Sequence, residues 1–145
     1  MFDYVIILRV ALALLLGGIL GFERERHGIS AGIRTYGAIS LGACVFGVLS
    51  LSIPGADPSR VAAQVATGIG FLCGGVIFRE GNHVNGLTTA ATLWATAAIG
   101  LAVAFGMYGV SIVTTLLIYL LLYMSRLRWW KKFTRKVKSS ENGAY

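Results

Sequence analysis

Glu23-Arg24-Glu25-Arg26 is the most concentrated set of groups in this sequence that could do chemistry. It follows directly on an apolar run. The two carboxylates therefore stand where a helix presents its negative dipole end, a position that disfavours each by about 0.3–1 kcal/mol. Compensation can come from Arg24, Arg26 and Arg34, or from a bound cation. Two readings stay open: a self-neutralising knot at a membrane interface, or a regulatory or ion-binding site. Carboxylates alone define a hard-cation site poorly, so the sequence leaves undecided whether Glu23 and Glu25 hold a metal.

The other polar residues are scattered among apolar ones. Arg9 sits about one and a half turns inside the first apolar run, where a charge needs a partner or must snorkel; Asp57 and Asp3 are candidate partners. Asp57 has a competing use, because Asp57-Pro58-Ser59-Arg60 reads as an N-cap with proline at the first helical position. Gln64 is polar within the third run. Thr88, Thr92 and Thr96 recur every four residues as one stripe on a helix face, joined by Thr67 and Thr89. Such hydroxyls either line a pathway or bond to neighbouring helices and their own i−4 carbonyls. His27 and His83 lack ligand-spaced companions and read as solvated. Cys44 and Cys73 read as small packing residues. No Ser/His/Asp or Cys/His set, HExxH or phosphate-binding glycine loop is present. An enzymatic role and a cofactor are therefore not expected.

These groups are carried by a chain of 145 residues, 56% hydrophobic and only 13% charged. Soluble domains carry about 25% charged residues, so the expected class is an all-α, polytopic membrane bundle. Apolar runs place spans near residues 4–22, 35–53, 61–78, 87–105 and 108–124. The stretch from Thr88 to Ser125 has no charge. As one helix it would be roughly 57 Å long against a ~30 Å hydrocarbon core, so it must fold back, with Gly106 and Gly109 marking the turn. Residues 126–145 form a basic tail with seven Lys/Arg and one Glu. Its Leu127, Trp130, Phe133 and Val137 recur at helical spacing, as in a segment lying along an interface. With the tail inside, Arg24, Arg26, Arg34 and Arg79 are also cytoplasmic, while Arg60 and Arg9 are outside. That bias orients the N-terminus out and the C-terminus in. A basic block after an apolar helix points to anionic lipid rather than nucleic acid. No cleavable signal peptide is apparent, since the start lacks a basic n-region.

Nineteen glycines suit close helix contact. Gly17/Gly21 and Gly70/Gly74 are GxxxG pairs, and Ala38/Gly42 and Ala43/Gly47 are the small-xxx-small form. The expected use is packing within one chain, with association of two copies through the same faces as the other option.

The ordered strings Gly17–Arg26, Ala31-Gly32-Ile33-Arg34-Thr35, Gly68-Ile69-Gly70-Phe71-Leu72, Gly75-Val76-Ile77-Phe78-Arg79-Glu80 and Gly86-Leu87-Thr88-Thr89-Ala90-Ala91 resemble the MgtC/SapB family across residues 4–125. The resemblance implies a bacterial inner-membrane protein of about five spans. It further implies growth under magnesium limitation, acid or intracellular stress and survival of pathogens inside host cells, through other membrane proteins such as the F-type ATP synthase or ion transporters. The family's motif positions fall on Glu23, Arg24, Glu25, Gly32, Arg34, Thr35, Gly68, Gly70, Phe71, Gly75, Thr88, Thr89 and Trp94. Two departures stand out. Many relatives add a small cytoplasmic domain, and this sequence stops about twenty residues after its last span, so regulation through that domain is not expected. Cys73-Gly74-Gly75 replaces the family's Gly-Ala-Gly, which questions any role tied to glycine at 73.

The leading functional expectation is a non-enzymatic membrane regulator that binds partner membrane proteins. The alternative is an oligomeric cation transporter or channel, which would use the threonine stripe, Gln64 and the acids at 23 and 25. Asp57, Arg60 and Gln64 join the motif positions as candidate functional residues, and Gly17, Gly21, Gly68, Gly70, Gly74 and Gly75 are the candidate packing positions.

Overall fold

A computed structural model of the chain describes residues 2–81 and 83–124. Five helices follow in order: α1 (Phe2–Glu25), α2 (Ile33–Ser52), α3 (Pro58–Val76), α4 (Leu87–Ala104) and α5 (Tyr108–Met124). Between α3 and α4 stands a small antiparallel hairpin, β1 (Phe78–Glu80) and β2 (His83–Asn85), paired Phe78 to Asn85, Arg79 to Val84 and Glu80 to His83. The basic tail, with Trp129 and Trp130, lies outside the described residues.

Three helices, α1 from Tyr4, α2 and α4, are long and apolar enough to cross a membrane; α5 is apolar but shorter. The outer surface is apolar, unlike that of a soluble domain, over a core that is also mainly apolar. Leu8, Leu15, Phe46, Phe71, Leu116 and Leu121 lie on the outside, Phe71 at 85% exposure. Ser40, Thr96, Ser111 and Thr115 are inside. In water such an apolar outer surface is an association hazard; in lipid it is the expected one, because tails are as apolar as leucine and small residues mediate the helix contacts.

The centre of the bundle is the trio α1, α2 and α4. A Cβ added at Gly17 would sit 2.6 Å from the Tyr36 carbonyl oxygen, and one at Gly21 2.6 Å from Ile33 Cα. The GxxxG pair of α1 therefore lies directly on the α2 backbone, the two helices running antiparallel. On the other side of α2, a Cβ at Gly100 would overlap the Ser40 carbonyl, and one at Gly47 would meet Ala104 Cβ. Around these contacts pack Leu16, Leu20, Tyr36, Cys44, Leu93, Ile99 and Val103.

The second GxxxG pair behaves differently. Gly68, Gly70, Gly74 and Gly75 have no atom within 4 Å of an added Cβ, so they are not packing positions within this chain. The reason is rotational. α3 turns Cys73 inward, its thiol donating to the Ala90 carbonyl at 3.2 Å, and its flanking glycines face outward. The cysteine that departs from the family pattern is thus the residue seating α3 on α4. α3 also ends earlier than the expected third run, because Ile77 is extended and Phe78 enters the hairpin.

The turn between α4 and α5 falls at Gly106, in the left-handed conformation with φ +74°. The Gly106 and Met107 amides close back on the Val103 and Ala102 carbonyls, as C-caps do. Gly109 is already inside α5.

Candidate functional site

The antiparallel pair α1 and α2 gathers the Glu23–Thr35 segment at one end of the bundle, together with the start of α4. Here α1 runs through Glu25, beyond the end expected at Phe22. Within the Glu23–Arg26 cluster, Arg24 and Glu25 reach to other helices. Arg24, only 7% exposed, donates from Nη2 to Thr89 Oγ1 at 2.8 Å and so ties α1 to α4. Its Nε has no hydrogen-bond partner among the described residues. Glu23 is 4% exposed, with Oε1 3.6 Å from His27 Nδ1. His27 Nδ1 donates to the Glu23 carbonyl at 2.7 Å. His27 is exposed, as read from the sequence, and its ring also folds back onto the last turn of α1.

Glu25 resolves the dipole problem posed by the sequence. Its Oε2 accepts the Ile33 amide at 2.9 Å, so it leaves the unfavourable end of α1 for the N-terminus of α2, where negative charge is favoured. Gly32 is the N-cap residue of α2 and has no side-chain cap of its own. A Cβ at Gly32 would collide with the Glu25 carboxylate, which explains glycine there. Glu25, Ser30, Gly32, Arg34 and Thr35 line a small recess of about 400 Å³. Arg26, Arg34 and Thr35 are exposed beside it.

A polar line continues from this end into the bundle. Thr92 Oγ1 donates to the Thr88 and Thr89 carbonyls at 2.9 and 3.0 Å, and Thr96 Oγ1 to Thr92 at 2.7 Å. Because the Thr92 hydroxyl has one proton, the 2.6 Å contact with Tyr36 is donated by the tyrosine. The stripe is therefore bonded within the helices. Thr88 and Trp94 face outward on α4.

The opposite end holds Arg9, Asp57, Arg60 and Gln64. Arg9 does not pair with Asp57. Its Nη1 donates to the Ala104 carbonyl at 2.7 Å and its Nε to Tyr108 Oη at 3.0 Å. A cation thus closes an orphan carbonyl at the C-terminus of α4, where positive charge is favoured. The side chain of Asp3 is outside the described ones. Asp57 caps α3, its Oδ1 accepting the Ser59 amide at 2.9 Å and the Ser59 hydroxyl at 2.7 Å. Those bonds hold its carboxyl below the ordinary 3.8. Asp57, Arg60, Gln64 and Gly68 line a groove of about 890 Å³ between α2 and α3.

Among the described residues, no three His, Cys, Asp or Glu side chains come together to hold a metal. Tyr36 and Gly100 are structurally decisive residues that the sequence did not single out, while Cys73, read as a small packing residue, packs as expected. The available signal for Gly100 was its small-xxx-small spacing to Ala104 in an uncharged apolar run.

Comparison with known proteins bears on the same segments. A family model described as the MgtC family matches residues 10–128. Protein MgtC of Brucella abortus (strain 2308) is 48% identical over 107 residues, covering 73% of this chain and 45% of the relative. Protein MgtC of Salmonella typhimurium (strain LT2) is 44% identical over 118 residues, covering 81% and 50%. The chain spans about half the length of these curated relatives. No solved structure matches it.

Proposed function

Given that the chain belongs to the MgtC family, we propose that it is a non-enzymatic inner-membrane protein that supports adaptation to low magnesium, acid or intracellular stress by binding other membrane proteins. The observation that carries this reading is the construction of the α1–α2 end. Gly21, Gly32 and the Glu25 cap fix the backbone there, while Arg26, Arg34 and Thr35 stay exposed. A rigid turn presenting cations suits recognition of a partner's acidic surface. The described cations also favour this end as cytoplasmic, with Arg24, Arg26, Arg34 and Arg79 here and Arg9 and Arg60 at the other. The outward Gly70, Gly74 and Gly75 of α3 offer a face for a partner helix or a second copy.

The rival reading, a cation path along α4, draws less support. The Thr92 and Thr96 hydroxyls are engaged with carbonyls of their own helix. Complementation of a strain lacking its own family member, at low magnesium, separates the readings. Arg34→Ala should abolish growth at normal membrane levels, and purified protein in liposomes should carry no cation flux. Normal growth of Arg34→Ala, or flux down an imposed gradient, would overturn the proposal.

A further inference from the structure

The groove between α2 and α3 runs from the α2–α3 loop at Gly55 as far as Ala38 and Leu72 and is not absorbed by the function above. Its walls are small or apolar, including Ala38, Gly42, Gly68, Ile69 and Leu72. Its polar lining is confined to one end, at Asp57, Arg60 and Gln64. Among the described residues, the Arg60 guanidinium and the Gln64 amide enter no hydrogen bond or ion pair. Asp57 and Arg60 are one turn apart and of opposite sign, yet they do not pair with each other. An exposed amide and guanidinium without a protein partner, at one end of an apolar trough, are open to a polar ligand.

Length and volume narrow the occupant. From Asp57 to Leu72 the groove follows α3 for ~22 Å, and from Ala38 to Phe46 it follows α2 for ~12 Å. That is about one leaflet of a bilayer ~40–45 Å thick with its head groups. A crossing helix would use the full thickness; a trough with polar groups at one end and leaflet depth fits an amphiphile. The volume of about 890 Å³ is within the ~300–1,000 Å³ of bound small molecules.

We propose that this groove binds one phospholipid with a zwitterionic phosphate and primary-ammonium head. The phosphate sits on Arg60, the ammonium on Asp57, and the Gln64 amide donates to an ester carbonyl. An acyl chain lies over Gly42 and Gly68, where any side chain would occupy its path. Asp57 is an exposed carboxylate, anionic at neutral pH, and only its Oδ1 is engaged by Ser59. The primary ammonium matters because a quaternary one has no N–H to donate to Asp57.

The test uses the full chain purified in detergent and exchanged into mixed micelles. Lipid retained by the protein is counted by native mass spectrometry with phosphatidylethanolamine, phosphatidylcholine or phosphatidylglycerol. Wild type should retain phosphatidylethanolamine at least tenfold more strongly than the other two. Arg60→Gln should abolish retention, and Gly68→Leu should block it. Asp57→Asn keeps the helix cap, since asparagine caps as well as aspartate, and should erase the preference over phosphatidylcholine. Unfolding temperatures without added lipid should match wild type for Arg60→Gln and Asp57→Asn, which separates lost binding from lost folding. Equal retention of the three lipids, or an Arg60→Gln protein that binds like wild type, would overturn the proposal. So would a Gly68→Cys protein that cross-links to another protein helix in membranes.

Discussion

Gly100→Ala probes the contact on which the bundle turns. The added methyl would overlap the Ser40 carbonyl and lie 3.1 Å from Ala43 Cβ. The obstacle is backbone in the middle of α2, so no side chain can swing aside. Relief requires α2 and α4 to part by about 1 Å, which forfeits a quarter to a half of each dispersion contact along the seam. Overpacking of this kind costs about 1–3 kcal/mol, offset by about 0.5–1 kcal/mol because alanine is the better helix former. The net expectation is a loss of about 1–2 kcal/mol. Gly18→Ala and Gly70→Ala are the matched controls. Neither methyl would have an atom within 4 Å, so only the propensity gain remains and stability should hold or rise slightly. Thermal unfolding in mild detergent, followed by circular dichroism, should put Gly100→Ala several degrees below both controls, at about 2–8 °C per kcal/mol. A Gly100→Ala protein as stable as Gly18→Ala would refute the reasoning.

Other predictions follow from single contacts. Gly32→Ala should displace the Glu25 carboxylate and resemble Glu25→Ala, each losing about 1 kcal/mol or less of cap stability, while Glu25→Gln keeps an acceptor and loses less; unfolding midpoints rank the three. A double-mutant cycle of Arg24→Met and Thr89→Val should give a coupling of about 1–3 kcal/mol, the range for a buried hydrogen bond to a charged group; a coupling near zero would mean the 2.8 Å contact carries nothing. Asp57 has its carboxyl held below 3.8, so its cap is fully present above that pH and is lost only as pH falls through the lower folded value. Protection of the Ser59 amide from hydrogen exchange should therefore stay constant from neutral pH down to about 4 and then fall, and Asp57→Asn should remove the fall.

Much of the helical order was legible because long uncharged runs leave little choice in lipid. The Gly106 turn was legible too, since one helix of that length could not fit the bilayer. Contact partners were less so. Gly17/Gly21 and Gly70/Gly74 carry the same motif, yet one pair touches α2 and the other faces outward. What separates them is the rotation of α3, set by Cys73 pointing at Ala90, and spacing alone does not encode that. The same limit hid Gly100, although with Ala104 it forms a small-xxx-small pair facing α2. At the candidate site, the sequence raised the right question about carboxylates at a helix end. It did not supply the answer, because Glu25 is satisfied by the α2 N-terminus eight residues on. Asp57 was the wrong partner to name for Arg9, for a related reason. Charge partners can be read from a sequence, but an orphan carbonyl at the end of a distant helix cannot.

The partner protein proposed for the fixed α1–α2 end can be captured in place. Photo-cross-linkers placed singly at Arg26, Arg34 and Thr35, in cells starved of magnesium, test it most directly. They should each capture the same membrane protein, while one at Trp94, on the outward face of α4, captures none. Capture from Trp94 together with silence from all three positions at the α1–α2 end would contradict it.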